Sequence, residues 1–264
     1  MKIKDVIRTL EDFAPLPLQE DYDNAGLQTG LTEAEVSGVL LCLDVTEDII
    51  EEAVAKGCNT VVSHHPLIFR RLSRVGDGNM VERCVRSAIR HDVNIISMHT
   101  NLDSARGGVN FMIARHIGLK PETLEIIDQR TVDGVDGGNA IIGELPEPLT
   151  TEQYVELLKR EFHARCVMTN EPLKRSIKRV AICGGAGSFM LGKAIEHEAD
   201  AFLTGEMHYH EYFDHGQQVL ISVIGHYESE QYTKELLQEI LKEKYPDLKT
   251  VVTEQDTNPI KYWK

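Results

Sequence analysis

The sequence predicts an α/β protein built as two pseudo-symmetric lobes of β-α-β units with mixed sheets. Three observations carry that prediction. Apolar runs of strand length alternate with amphipathic helical patterns, the order that produces parallel pairing. The second half echoes the first 141 residues later: Val39, Cys42, Ala53, Val61, Val62 and Ser63 fall on Val180, Cys183, Ala194, Phe202, Leu203 and Thr204. Histidines gather where strands are expected to end. Open α/β sheets bind ligands there, which places the expected metal site in the crevice between the lobes.

The elements follow in order. Ile3 to Phe13 is an amphipathic helix ended by Pro15 and Pro17, and Asp23-Asn24-Ala25-Gly26 is a turn-rich loop. Val39–Asp44 reads as a strand. Thr46 caps a helix over Glu47–Lys56 that Gly57 ends. Thr60–Val62 is the next strand, stopping at Ser63-His64-His65-Pro66. A helix from about Asn79 to His91, a strand over Val93–Met98 and a helix over Val109–Ile117 follow. Val132–Gly138 is a turn cluster, Ala140–Gly143 a strand and Thr151–Phe162 a helix. The β-α-β order returns at Val180, and a last helix runs from Ser229 to Lys244. The expected organisation is a first lobe over 1–128, a small linking or inserted segment over 129–178, and a second lobe over 179–264. The second lobe would contribute ligands back to a shared site.

Composition narrows the function. A chain of 264 residues buries enough surface to need no disulfide staples. Its five cysteines (42, 58, 84, 166 and 183) are scattered and never form C-x-x-C, which argues against a zinc ribbon. There is no apolar run of membrane-spanning length and no signal-peptide pattern, so a cytoplasmic protein is expected. The formal net charge of −14 disfavours nucleic acid as a partner. That charge is uneven: residues 1–60 carry net −9 and residues 61–120 net +5. The basic stretch is an arginine island, Arg70, Arg71, Arg74, Arg83, Arg86 and Arg90. It is either a solvated face or a site for a small anionic or phosphorylated substrate.

Seven of the 11 histidines lie in four short stretches, at His64-His65, His99, His208/His210/His215 and His226, with Asp103, Glu206 and Glu230 nearby. A second echo, at an offset of 127, lays His99-x-x-x-Asp103 on His226-x-x-x-Glu230. Imidazole and carboxylate without thiolate suit Zn, Fe, Mn, Co or Ni. Adjacent histidines on a regular strand point to opposite faces, so His64 and His65 share a centre only if the strand has ended, as Pro66 indicates. With His226, Asp103 and Glu230 they offer enough ligands for two divalent ions, with a carboxylate as bridge. Such ions, roughly 3.5–4 Å apart, would polarise a phosphoryl or carbonyl oxygen and activate water. Asp103 could equally cap a helix and Glu230 could occupy the first turn of one. His99 could ligate or orient a ligand, while a site-lining or surface role suits His208 and His210. Gly184-Gly185-Ala186-Gly187-Ser188 reads as a structural turn more than as a phosphate cradle.

Five motifs together resemble the GTP cyclohydrolase I type 2 homologues, also called NGG-interacting-factor-three-like proteins. They are Asp23-Asn24-x-Gly26-Leu27, Ser63-His64-His65-Pro66, His99-Thr100-Asn101-Leu102-Asp103, Gly205-Glu206-x-x-Tyr209-His210 and Gly225-His226-Tyr227-x-Ser229-Glu230. The resemblance implies a two-lobed subunit, a homohexameric toroid and a dinuclear metal centre held by His64, His65, Asp103, His226 and Glu230. Longer relatives carry a middle domain for which 129–178 is too short. Two functions remain. One is a metal-dependent hydrolase acting on GTP or another phosphorylated small molecule, with His99 and His210 as catalytic proton carriers and arginines after Pro66 holding phosphates. The other is a non-enzymatic metal-bearing hexameric ring with a binding, regulatory or metal-handling role.

Overall fold

The computed structural model describes residues 1–263. Along the chain, α1 spans Ile3–Phe13, β1 Gly26–Thr29, β2 Val39–Cys42, α2 Glu47–Ala55, β3 Thr60–Ser63, α3 Met80–Arg90, β4 Asn94–Ser97 and α4 Thr100–Ser104. Then come α5 (Val109–Ile117), β5 (Glu125–Ile126), β6 (Arg130–Val132), β7 (Val135–Gly137), β8 (Ile141–Leu149) and α6 (Thr151–Glu161). These are followed by β9 (Met168–Thr169), β10 (Ile177–Cys183), α7 (Leu191–Glu196), β11 (Ala201–Thr204), β12 (Leu220–Val223) and α8 (His226–Glu230). The last elements are α9 (Thr233–Lys244) and β13 (Thr250–Val252).

Polar side chains set the helix starts. Thr46 accepts from the Ile49 amide at 3.3 Å and Asn79 from the Glu82 amide at 3.0 Å. Thr150 and Gln153 close a reciprocal capping box. Each satisfies an amide that the first helical turn leaves without a carbonyl. Gly57 and Gly118 end α2 and α5 at positive φ, where a side chain would be strained.

Contacts divide the chain into two compact units. The first comprises Met1–Ala105 with Tyr232–Ile260, and its sheet has the order β1-β4-β3-β2-β13. Strands β2, β3, β4 and β13 are parallel, and β1 joins antiparallel to β4. The second unit comprises Arg106–Gln231 with the tail from Lys261, and its main sheet has the order β5-β8-β10-β11-β12-β9. Here β10, β11 and β12 are parallel, and β8, β5 and β9 are antiparallel to their neighbours. Every residue of β2, β3, β4, β11 and β12 is buried, as expected for strands covered on both faces.

Both sheets are therefore mixed, and they share one order. Parallel β2, β3 and β4 with antiparallel β1 correspond to parallel β10, β11 and β12 with antiparallel β9. The echo at offset 141 superposes the β3 range on that of β11 residue for residue. No helix among the described residues is long and apolar enough to cross a membrane.

The unit boundaries fall elsewhere than the 1–128, 129–178 and 179–264 expected from sequence. Residues 129–178 are no separate piece: β8 and β9 belong to the six-stranded sheet and α6 packs against β8. Residues 232–260 leave the second lobe and complete the first unit, where β13 extends the sheet beyond β2. The last helix is likewise two elements, α8 and α9, and the division between units falls at residues 231 and 232. No glycine or proline marks that break in the sequence.

Candidate metal centre

In the first unit, β3 ends at Ser63. Its hydroxyl lies 2.8 Å from that of Ser97, and the two lie 2.8 and 3.3 Å from the His65 carbonyl oxygen. This polar knot folds His64-His65-Pro66 into a bend just beyond the strand. The adjacent histidines thereby escape the alternation of a strand, and their ring centroids lie 4.9 Å apart. His99 precedes α4 and brings a third ring 5.3 and 5.5 Å from those of His64 and His65. One nitrogen from each of the three rings lies within 4.8 Å of the others. Within α4, Asp103 sets Oδ1 3.5 Å from His64 Nε2. His64 is fully buried.

In the second unit, α8 places His226 and Glu230 one turn apart on one face. His226 Nε2 lies 3.1 Å from Glu230 Oε2, and Glu230 is buried. Glycines behind α8 make this possible. A Cβ on Gly185, whose φ is +57°, would meet Glu230 Oε1 at 2.2 Å. A Cβ on Gly205 would meet the Gly185 carbonyl oxygen at 2.7 Å and the His226 Cα at 2.9 Å.

All four histidines are oriented the same way. His64 Nδ1 faces the Met98 carbonyl oxygen at 2.8 Å, His65 Nδ1 the Asp44 carboxylate at 2.7 Å, His99 Nδ1 that of Asp23 at 2.7 Å, and His226 Nδ1 that of Glu206 at 2.8 Å. A carbonyl or an ionised carboxylate only accepts, so each imidazole keeps its proton on Nδ1 and presents the Nε2 lone pair. Asp44 is itself held by Thr257 Oγ1 at 2.8 Å. At His226 that lone pair faces a carboxylate oxygen. Two acceptors at this distance repel unless a proton or a cation lies between them. The donor set therefore fits a divalent cation of the imidazole- and carboxylate-binding kind.

Burial by itself would raise the Asp23 carboxyl. Hydrogen bonds from His99, Thr100 and the Asn24 amide outweigh it and hold Asp23 at about 2 against the usual 3.8. A depressed folded-state pKa contributes stability that is complete above the ordinary value and lost as pH falls through the folded one. The advantage of wild type over Asp23→Asn in urea unfolding is expected to shrink by about 2 kcal/mol between pH 5 and pH 2. A difference that stays constant over that window would reject the assignment.

The structure gathers His64, His65, His99 and Asp103 in the first unit, and His226 with Glu230 and Glu206 in the second. His210 stands apart: it is exposed on the 209–212 turn, and its ring contacts Tyr209 and Phe213. The His208 amide donates to Glu211 Oε2 at 2.6 Å. Asp103 does not cap a helix, because His99 holds the cap position of α4, and Glu230 ends a helix instead of starting one. The glycine turn cradles no phosphate through its first amides, since Gly184 N donates to Asn110 Oδ1 and Gly185 N to Ser229 Oγ.

Sequence reasoning did not assign Asp44 or Asp23 a role, although Asp44 ends an apolar strand run and Asp23 opens the Asp-Asn-x-Gly motif. The arginine island divides in two. Arg83, Arg86 and Arg90 lie on α3 beside a groove of about 540 Å³ shared with Glu47 and Glu51 of α2, where Arg83 Nε donates to Glu47 at 2.7 Å. Arg70, Arg71 and Arg74 are exposed in the segment between β3 and α3.

Known proteins match over the same span. A Clostridium perfringens protein described as a GTP cyclohydrolase 1 type 2 homolog is 33% identical over 264 residues, covering 99% of this chain and 100% of the relative. A Lactococcus lactis protein with the same description is 32% identical over 264 residues, covering 98% of each. The crystal structure of a Staphylococcus aureus protein superposes with a TM-score of 0.89 at 29% identity, over 100% of this chain and 99% of that one. The profile of the Duf34/NIF3 (NGG1p interacting factor 3) family runs from residue 1 to residue 259, and this chain belongs to that family.

Proposed function

We propose that the chain is a metal-dependent hydrolase of GTP or another phosphorylated small molecule. In this reading His64, His65, Asp103, His226 and Glu230 hold two divalent ions, and the working form is a hexameric ring. The observation that carries it is the common orientation of the histidines, each donating an Nδ1–H hydrogen bond to an oxygen and leaving Nε2 as a ligand atom. Bound divalent ions supply Lewis-acid polarisation and lower the pKa of water.

The remaining work falls to the chain itself. Asp44, Asp23, Glu206 and the Met98 carbonyl fix ring orientation in advance, so no reorganisation is needed when substrate arrives. Asp23 holds the His99 proton on Nδ1, which leaves Nε2 to take a proton from water and return it to a leaving group. His210, on the exposed 209–212 turn, is the proposed second proton carrier.

The test is metal analysis and GTP turnover on protein purified without chelators, compared with His64→Ala. Two ions per chain in wild type, with ions and turnover lost in a folded variant, is the expected result. Undiminished turnover in His64→Ala would overturn the reading. Bound ions without turnover of any nucleotide would favour the metal-bearing ring.

A further inference from the structure

Beside the histidines of the first unit runs a ledge of exposed aromatic rings. Phe69 is 43% and Tyr22 63% exposed, and their centroids lie 6.2 Å apart, edge to face. Phe69 in turn lies 6.0 Å from His99 at an interplanar angle of 83°. The ledge is braced from behind. The Ile68 amide donates to Gln28 Oε1 at 3.0 Å, and the Ile68 carbonyl accepts from Asn24 Nδ2 at 2.7 Å. Residues 22–28 thus hold His99 through Asp23 and present Phe69 through Asn24 and Gln28. Two exposed rings fixed next to an oriented histidine are preorganised for a planar partner, because little side-chain freedom remains to be lost on binding.

Immediately after Phe69 come Arg70, Arg71 and Arg74. All three are exposed and make no ion pair or hydrogen bond among the described residues. Arg83, by contrast, is neutralised by Glu47. These are three unneutralised guanidinium groups in a chain of net charge −14, and forked donors of this kind match phosphate oxygens.

We infer that Tyr22 and Phe69 form the wall on which the planar ring of a nucleotide stacks, and that Arg70, Arg71 and Arg74 receive its phosphates. Phe69, and not an arginine, contacts the His99 ring, so the heterocyclic end of the ligand faces the histidines. The inference rests on the proposed hydrolase reading and gives its substrate class and specificity residues.

Calorimetric titration of the full chain with GTP, guanosine and inorganic triphosphate tests it. Phe69→Ala is expected to weaken GTP and guanosine about tenfold and to leave triphosphate unchanged, while Phe69→Trp restores GTP binding. The Arg70→Gln/Arg71→Gln variant is expected to weaken GTP and triphosphate and leave guanosine unchanged. GTP affinity within twofold of wild type in Phe69→Ala, equal loss of triphosphate there, or no GTP binding by wild type would each overturn the inference. Metal content and turnover measured on the same samples separate the two ideas. The stacking pattern without turnover would sink the hydrolase alone, and turnover indifferent to Phe69 would sink the wall alone.

Discussion

Gly185→Ala is expected to lower divalent-metal affinity about 10- to 100-fold while costing only about 1 kcal/mol of stability. The two effects separate because of what the new methyl group meets. A Cβ at 185 would lie 2.2 Å from Glu230 Oε1, the far end of a flexible side chain, so the carboxylate moves and the backbone stays. The stability cost is that of a side chain at φ +57°. The cost in affinity is that of a proposed ligand driven from its place beside His226. Gly205→Ala is the contrast, because its Cβ would strike the Gly185 carbonyl oxygen and the His226 Cα, which are backbone atoms. That variant is expected to lose stability and metal together. Metal titration with urea unfolding of both variants checks the separation, and equal losses of stability would refute it.

Phe202→Ala is expected to destabilise the protein by about 3–5 kcal/mol. Phe202 is fully buried in β11, in the apolar cluster that also contains Ala181, Ala194, Ile221 and Val223. Its neighbours sit on β10, β12 and α7, whose backbones are fixed by sheet and helix hydrogen bonds, so the space left behind closes only in part. Val61 holds the corresponding place in β3, fully buried within its own cluster. A β-branched residue therefore suits that strand position, and Phe202→Val is expected to cost less than Phe202→Ala. Urea unfolding followed by circular dichroism ranks the three proteins. A loss under 1 kcal/mol for the alanine variant would contradict the packing described.

Much of this was legible in the sequence where local physics and tertiary context agree. The helices over Ile3–Phe13 and Val109–Ile117 match their expected limits, because apolar periodicity and terminal residues point the same way. The central parallel strands were visible as short runs with apolar centres, such as Val61-Val62 and Ile95-Ile96. The edge strands β1, β5, β9 and β13 were not, since two to four residues on a sheet margin carry no apolar run of their own. The histidines and their carboxylates were found by composition and placement. Their orienting partners were harder to see: Asp23 lies 76 residues from His99, and the acceptor for His64 is a backbone carbonyl with no side-chain signature. The hairpin β6–β7 was foreseen only as a turn cluster, although Asp133-Gly134 at positive φ is what a two-residue hairpin loop requires.

The place of β13 has a consequence for biosynthesis. Strand β2 pairs with β3 on one side, and on the other with β13, through Val251↔Leu40 and the adjoining pairs. More than two hundred residues separate those partners, and Arg106–Gln231 of the second unit are made between them. On the ribosome, the first unit must therefore wait with an open, fully apolar strand margin until Thr250–Val252 have been translated. Such a margin is a template for pairing with another nascent chain. Premature termination between residues 231 and 250 would leave that template permanently bare, so such truncated products are expected to aggregate instead of persisting as half-proteins.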